Sequence, residues 1–242
     1  EFGLDSKKPV LSELTFVQID EFYPIDPSQH NSFCHYVRKY YIDGFGMNPD
    51  KCMLIDCSKI GLERQKTYGV TGEAFDHVRM ETMDDVFPGG HVDLTLRVRE
   101  ATTRLERVQQ RVLRRVDQWC LEYEERIRAL GGIGFFMGGI GPDGHVAFNC
   151  RGAAHHSTTR LDELNYESQA AASTDLGGIE AVKKRKVITI GLGTITYNPN
   201  CVAITCAAGE AKAQVVRDAV QEPPHVCFPG TALHKLPNAT FF

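Results

Sequence analysis

An acid and an imidazole lie two residues apart, directly after a glycine-rich turn, in residues 135–149, which read FFMGGIGPDGHVAFN. The segment opens apolar, as a buried parallel strand does, and its four glycines would let the backbone approach a ligand closely. Asp143 can orient the ring of His145 and raise its basicity, as general acid–base chemistry requires. Open α/β folds bind ligands at the carboxyl ends of their strands, so we interpret this turn as a candidate site rather than a turn whose histidine caps a helix.

The elements around this turn alternate between strand and helix patterns. The alternation predicts an α/β fold, with a Rossmann-like, doubly wound and mostly parallel sheet and an inserted helical segment. A helix with apolar residues three or four positions apart is expected between residues 105 and 130, ended by Gly131 and Gly132. Further strands are expected at residues 14–20, 53–55, 135–139, 186–195 and 201–208, and further helices at residues 30–45 and 210–221.

Composition narrows the functional class. Hydrophobic residues make up 42% of the 242 residues and charged residues 24%, which is typical of a globular protein, and the net charge of −4 disfavours nucleic acid or an acidic membrane as partner. No apolar run reaches the length of a membrane span and no secretory leader is recognised, so we expect a cytoplasmic protein. The eight cysteines form no C-x-x-C pair, so neither a metal site nor a disulfide framework is expected.

Four segments carry a resemblance to a known family. Residues 138–149 resemble the active-site signature of the glucosamine-6-phosphate deaminases, and the sister 6-phosphogluconolactonases share its Asp-Gly-His core. Residues 16–22 are similar to the family strand that ends in Asp-Glu-aromatic. Residues 209–212 resemble the segment with the family's phosphate-binding lysine, and residues 231–234 its penultimate segment.

The resemblance implies conversion of glucosamine 6-phosphate into fructose 6-phosphate and ammonia, without metal or redox cofactor. It assigns Asp20 as the base that takes the C2 proton, although a carboxylate after a strand can also be a helix N-cap. His145 would shuttle the ring-opening proton while Asp143 holds its tautomer. Substrate would bind at Gly138, Gly139 and Lys212, and backbone amides from residue 138 to residue 141 could stabilise the developing enolate oxygen. Lys212 could alternatively be an ordinary surface lysine.

The chain also departs from the family pattern. Cys150 stands where the deaminases carry a glutamate that assists ring opening, and Thr174 or Asp175 stands near the position of a lid arginine. Arg160 matches an arginine near the family's allosteric site, so it is a candidate lid or allosteric residue. The family's N-terminal phosphate loop is not recognised, and residues 58–117 resemble an insertion within a single domain spanning residues 1–242.

Three functions therefore remain open. A phosphorylated amino sugar is the expected ligand of the deaminase, a non-catalytic sugar-phosphate-binding regulatory domain is the first alternative, and a sugar-phosphate lactonase is the second. In a lactonase His145 would activate water and Asp20 would not be needed. The apolar stripe of the long helix begins before its family-like part, at Leu105 and Val108, so its first half is expected at an interface of a homo-oligomer.

Overall fold

The fold alternates short strands with helices around one long helix, in a computed structural model that describes residues 11–62, 82–174 and 176–242. The strands are β1 (Phe16–Val17), β2 (Asp20–Tyr23), β3 (Cys52–Met53), β4 (Phe135–Gly139), β5 (Arg160–Asp162), β6 (Lys186–Thr189), β7 (Val202–Cys206) and β8 (Asn238–Phe241). The α-helices are α1 (Phe33–Tyr36), α2 (Met83–Val86), α3 (Arg104–Ala129), α4 (Tyr166–Ala172), α5 (Ile179–Lys184), α6 (Leu192–Ile195) and α7 (Ala213–Gln221).

The described strands form three short sheets. Strands β4, β7 and β8 are parallel, with β7 in the centre, and β1 pairs in parallel with β3. Strand β6 lies between β2 and β5 and is antiparallel to both. The predicted α/β class with parallel pairing is confirmed, and the structure adds an antiparallel sheet. In β4, Phe136 is buried in the core while Phe135 and Met137 are exposed on the opposite face.

The strand expected at residues 14–20 is divided between two sheets, and Gln18 explains the division. Its backbone N–H donates to the Met53 carbonyl, and its side-chain oxygen accepts from the Ile55 N–H at 2.9 Å. Its side-chain amide donates to the Asp20 carbonyl at 2.9 Å. The buried Gln18 side chain thus satisfies backbone hydrogen-bonding groups at the point where the chain stops pairing with β3 and begins to pair with β6.

Other boundaries also differ from the sequence patterns. The expected strand 186–195 ends at Thr189, because Gly191 begins α6 and packs against the Ser157 backbone so closely that a Cβ there would lie 1.9 Å from the Ser157 carbonyl oxygen. The expected helix 30–45 is α-helical only in α1 and continues as a π-helix over Val37–Gly44. The helix expected at 210–221 opens with a 3₁₀ turn over Glu210–Lys212.

Helix α3 confirms the long helix. Thr103 and Glu106 form a reciprocal capping box at its start, and Gly131 and Gly132, both at positive φ, follow its end. Its Tyr123 hydroxyl lies 2.8 Å from the Gln18 carbonyl oxygen and 2.9 Å from that of Met53. The helix thereby fixes the β1–β3 pair, from which the chain runs directly into β2.

The interface expected for the first half of α3 is not found at Val108, which is buried in this chain, whereas Leu105 is half-buried. Val108, Val112 and Leu113 are buried in the core of this same chain, and the helix contacts α2 and β5. The insertion at residues 58–117 and the homo-oligomer stay predictions. Among the described residues, no helix combines the length and apolarity needed to cross a membrane.

Two leucines on α3 test this core assignment. Leu113 is fully buried and Leu121 is 51% exposed. We expect Leu113→Ala to lower the free energy of unfolding by about 2–5 kcal/mol, because it removes buried methyl groups and leaves a cavity. The matched Leu121→Ala change should stay within about 0.5 kcal/mol of the parent protein. Urea denaturation followed by circular dichroism measures both, and equal stability of the two variants would contradict the assignment.

Candidate active site

The end of β6 is the point where the candidate residues from distant parts of the chain meet. Thr189 is in register with Asp20 of β2 on one side and with Arg160 of β5 on the other. One residue further, the Ile190 N–H donates to the Ile19 carbonyl at 2.9 Å. The two neighbouring strands therefore place Asp20 and Arg160 beside the same turn of the chain.

The segment that follows the glycine-rich turn is attached to the same point. The Phe148 N–H donates to the Thr189 hydroxyl at 3.1 Å, and the Asn149 side-chain amide donates to the Ile190 carbonyl at 2.8 Å. The ring of Phe148 lies 5.7 Å from that of His145. These contacts connect the acid–imidazole turn to the strand that carries Asp20.

The turn needs glycine at particular positions. A Cβ on Gly141 would lie 2.0–2.2 Å from three atoms of the His145 ring, so only glycine allows the imidazole to cross this backbone. Gly144 has a φ of 84°, and its N–H donates to the Gly141 carbonyl at 3.0 Å. Ala147 has a φ of 50°, which is strained for a residue with a side chain. Such strain is often retained at functional sites.

Asp143 and His145 form a closely bonded pair. The His145 Nδ1 lies 2.5 Å from the Asp143 Oδ1, and both side chains are largely buried. Burial alone would raise the pKa of Asp143, but its partners hold that pKa well below its usual range. These partners are His145, through a hydrogen bond and its charge, the Arg151 N–H and the Asn165 side chain. Burial would also lower the pKa of His145, yet its bond to Asp143, with a smaller contribution from Cys150, raises it to about 9. Asp143 is thus the anion that stabilises a protonated His145.

Asp20 has the electrostatics of a base that works near neutral pH. Burial is the main cause that raises the pKa of Asp20 to about 7, the charge of Glu21 adds to it, and the charge of His145 opposes it. Asp20 and His145 are therefore close enough to interact electrostatically. A carboxylate with a pKa near the working pH is suited to general base catalysis.

The neighbouring Glu21 has a different, structural role. It is fully buried, and its two oxygens accept from the backbone N–H groups of Phe33 and Cys34 and from the Ser32 hydroxyl at the start of α1. Burial raises the pKa of Glu21, and these hydrogen bonds oppose the rise. The helix N-cap considered for Asp20 is Ser32 instead, because Asp20 lies within β2.

Lys212 reaches the candidate site from the start of α7. It is half-buried, and its Nζ donates to the Ile140 carbonyl, directly after β4. A lysine with this placement combines a positive charge with the backbone N–H groups of a helix start, which suits a phosphate. The structure thus brings Lys212, predicted from a separate motif, to the loop of His145.

The backbone of the glycine-rich segment has fewer N–H groups available to a ligand than the sequence indicated. Gly138 and Gly139 are part of β4, in register with Thr205 and Cys206 of β7. The Gly141 N–H, which was expected to be available for a developing enolate oxygen, donates to the His145 carbonyl at 2.8 Å. The amide of Gly141 is therefore committed to shaping the turn.

Arg160 and Cys150 lie at the same end of β6. The Arg160 Nη1 donates to the Asn149 side-chain oxygen at 2.9 Å, and its Nε donates to Asp162 at 2.7 Å. Cys150 is 9% exposed, and its sulfur lies 3.5 Å from the Ser168 hydroxyl oxygen. Of the two residues considered at the lid position, Thr174 is exposed after α4 and Asp175 lies outside the described residues.

Two polar residues of this site were missed by the sequence reasoning. Asn165, the N-cap of α4, donates to Asp143, and Ser168 lies 3.0 Å from the His145 Nδ1. Residues 150–180 are small and polar, which indicated a loop. The Asn-Tyr-Glu start at residues 165–167 is a helix N-terminus signal that could have revealed α4.

Asp143, His145 and Cys150 each place one ligand-type atom within 4.8 Å of the others. The nitrogen and oxygen of this group are already hydrogen-bonded to each other, so their geometry is that of an acid–base pair.

A cavity of about 670 Å³ opens at the opposite end of β2, and the described residues that line it include none of the predicted site residues. A space of about 10 Å³, enough for one water, adjoins Asp143, Gly144 and Arg151.

Sequence comparison finds relatives for part of the chain. No family model matches it. It is 36% identical over 106 residues to a glucosamine-6-phosphate deaminase of Yersinia enterocolitica and 35% identical over 120 residues to one of Borreliella burgdorferi. These matches cover 44% and 50% of this chain but 39% and 44% of the relatives. The chain thus spans about two fifths of the length of the curated relatives it matches.

Structure comparison extends the likeness to almost the whole chain. A monomeric glucosamine-6-phosphate deaminase superposes with a TM-score of 0.65 at 20% identity, over 96% of this chain and 72% of that one. The 6-phosphogluconolactonase from Trypanosoma brucei has a TM-score of 0.52 at 16% identity, over 94% and 70% of the two chains. At these identities the likeness shows the fold. The predicted resemblance is confirmed: part of this chain is homologous to glucosamine-6-phosphate deaminases, and its fold is that of these enzymes and of the 6-phosphogluconolactonases.

Proposed function

We propose that the site converts glucosamine 6-phosphate into fructose 6-phosphate and ammonia. The observation that carries the proposal is the meeting of Asp20, with a pKa raised to about 7, and the Asp143–His145 pair at the end of β6. Aldose–ketose isomerisation needs one group to open the sugar ring and a second to move a proton from C2 to C1. The two groups must be separate, and both must work near neutral pH. Asp20 and His145 meet these requirements.

Ring opening is the step assigned to His145. The protonated imidazole donates to the ring oxygen as the C1–oxygen bond breaks, and it then takes the proton of the C1 hydroxyl, so His145 ends as it began. The pKa of His145, raised to about 9 beside Asp143, keeps the protonated form present at neutral pH. The charge that the family places on a glutamate is absent at Cys150, since a thiol is not a permanent anion near neutral pH. Asp143 is therefore the main group that stabilises the imidazolium.

Isomerisation is the step assigned to Asp20. Its ionised carboxylate removes the proton from C2, and the electrons of that C–H bond form the C1–C2 double bond of an enolamine. The π electrons of the C1 carbonyl move to its oxygen, which takes a proton from the substrate's ammonium group. Asp20 returns the proton to C1, which leaves an imine at C2. Water adds to this imine and ammonia leaves, giving the ketone. With its pKa near 7, Asp20 is ionised in a substantial fraction of molecules at neutral pH and in nearly all of them one to two pH units higher.

Binding is the role assigned to Lys212. Its ammonium group lies at the loop that carries His145, within reach of the Ile140 carbonyl. A sugar phosphate in the site would offer this lysine a stronger acceptor than a neutral carbonyl. The negative charge of the phosphate also suits the N-terminus of α7.

A phosphorylated lactone is the second candidate substrate. Two observations favour it: the fold is shared with 6-phosphogluconolactonases, and Cys150 replaces the carboxylate of the deaminases. In that reaction His145 would activate water for attack on the lactone carbonyl, and Asp20 would have no role. The requirement for Asp20 therefore separates the two activities. A third candidate, a domain that binds sugar phosphate without turnover, is favoured by Cys150 alone.

Asp20→Asn tests the proposal directly. The change keeps the shape of the side chain but removes its basicity, so ammonia release from glucosamine 6-phosphate should fall by about 100-fold or more. Incorporation of solvent deuterium at C1 of fructose 6-phosphate, measured by mass spectrometry, should fall equally. The exposed Asp50→Asn change serves as the matched control and should leave both rates unchanged.

Two results would count against this assignment. Wild-type protein that hydrolyses 6-phosphogluconolactone, with the same rate in Asp20→Asn and no release of ammonia from the amino sugar, would establish the lactonase. Near wild-type deuterium exchange in Asp20→Asn would remove Asp20 from the mechanism. Binding of glucosamine 6-phosphate without either turnover would identify a binding domain.

Lys212→Ala tests the phosphate site. Losing a charge-assisted contact should weaken glucosamine 6-phosphate binding about tenfold or more, because such contacts contribute about 1.5–3 kcal/mol. Affinity for unphosphorylated glucosamine should not change. Isothermal calorimetry measures both, with the exposed Lys183→Ala as control for loss of one positive charge. Equal affinities of Lys212→Ala and Lys183→Ala for the phosphorylated sugar would exclude Lys212 from the site.

A further inference from the structure

Helix α4 reaches the acid–imidazole pair with two polar side chains that no step above uses. We propose that Asn165 and Ser168 are positioning residues that fix the orientation of the Asp143–His145 pair. The geometric part of this inference stands on its own, and its consequence for turnover rests on the proposed function. Asn165 holds the carboxylate and Ser168 holds the imidazole.

The orientation of the Asn165 amide is determined by its two partners. Its side-chain oxygen accepts from the Ser168 N–H at 2.9 Å, as an N-cap does. Its Nδ2 must then point the other way, and it donates to the Asp143 Oδ2 at 2.5 Å. The Arg151 N–H donates to the same oxygen at 2.8 Å. With both donors on Oδ2, the second oxygen of Asp143 is left to His145.

Ser168 acts on the other member of the pair. It is 2% exposed, and its Oγ lies 3.0 Å from the His145 Nδ1 and 3.5 Å from the Cys150 sulfur. Because Asp143 is ionised, Nδ1 carries a proton and donates to it. The Ser168 oxygen can accept a share of the same N–H, and its own hydroxyl hydrogen is free to point to Cys150. Ser168 therefore holds the Nδ1–H tautomer and leaves Nε2 for proton exchange with a substrate.

Substitutions of these two side chains should shift the pKa of His145 in opposite directions. The titratable groups facing His145 are Asp143 and Cys150 on its own loop and Asp20 on β2. Removing the Ser168 oxygen takes an acceptor away from the imidazolium, so the pKa should fall. Replacing the Asn165 amide with a carboxylate keeps the helix cap but adds a negative charge beside Asp143, so the pKa should rise. A Ser168 that merely filled space would give no fall in the pKa of His145 when its hydroxyl is removed.

The test is an NMR titration of the His145 ring signal in the whole chain, assigned by its loss in His145→Gln. We expect the pKa of His145 to fall by about half a pH unit or more in Ser168→Ala and to rise by a similar amount in Asn165→Asp, since one pH unit corresponds to 1.36 kcal/mol. Ser168→Thr, which keeps the hydroxyl, should retain the parent value. Ser173→Ala, the same change at the end of α4, is the control, because its hydroxyl donates to the Ala170 carbonyl and not to the acid–imidazole pair.

Activity provides a second readout. Ser168→Ala should lower kcat for ammonia release at least threefold with little change in KM, because the substrate is not expected to touch this side chain. An unchanged His145 pKa in both Ser168→Ala and Asn165→Asp would overturn the proposal. A shift of the pKa in the expected directions, in a protein that releases no ammonia, would support the positioning role and contradict the proposed function. The two ideas therefore fail on different measurements.

Discussion

The buried negative charge of Asp143 is the constraint on which the site depends. A carboxylate this far from water costs several kcal/mol unless it is paired and hydrogen-bonded. His145 supplies the charge, and Arg151 and Asn165 supply two N–H donors to the other oxygen. Each partner comes from a different place: the same turn, the segment after it and the start of α4. Satisfying one charge thus orders the loop, orients the imidazole and brings α4 to the site.

Asp20 and Glu21 are neighbours on β2, so their side chains point to opposite faces of the strand and have different surroundings. Glu21 points to the start of α1, where four donors from neighbouring groups satisfy it. Asp20 points to the other side, where burial and the charge of Glu21 raise its pKa and where the described part of the chain supplies no comparable set of donors to lower it. Glu21 therefore contributes to the raised pKa of Asp20, the proposed base. A substitution of Glu21 should lower the stability of the fold and also shift the pKa of Asp20.

The predictable parts of this molecule are those set by local patterns. Helix α3 follows from its 3.6-residue apolar period and its capping box, and the loop around Asp143 follows from residue types within a few positions. The placement of Lys212 beside that loop was predicted only through the family resemblance, and its contact with Ile140 agrees with it. Helix α3 and the loop around Asp143 need no knowledge of distant contacts, whereas Lys212 and Ile140 are far apart in the sequence.

The missed parts depend on contacts between distant residues. The pattern from Lys186 to Ile195 predicted one strand, but the approach of Gly191 to Ser157 ends it at Thr189. Nothing local shows that Gln18 would divide the first strand, since its partners are Met53 and Ile55. The contribution of α4 was hidden because a short, polar helix has little periodic signal. Tertiary packing decided each of these boundaries.

The ionisation of Asp20 is the most direct measure of whether the base and the imidazole share one site. Carbon-13 NMR of the labelled aspartate carboxyl, assigned by its loss in Asp20→Asn, would follow this group without any need for turnover. The expected pKa is about 7 instead of the ordinary 3.8, and it should rise further in His145→Gln, because the imidazolium charge that lowers it is lost. A pKa near 4 that does not respond to His145→Gln would contradict the convergence of Asp20 and His145.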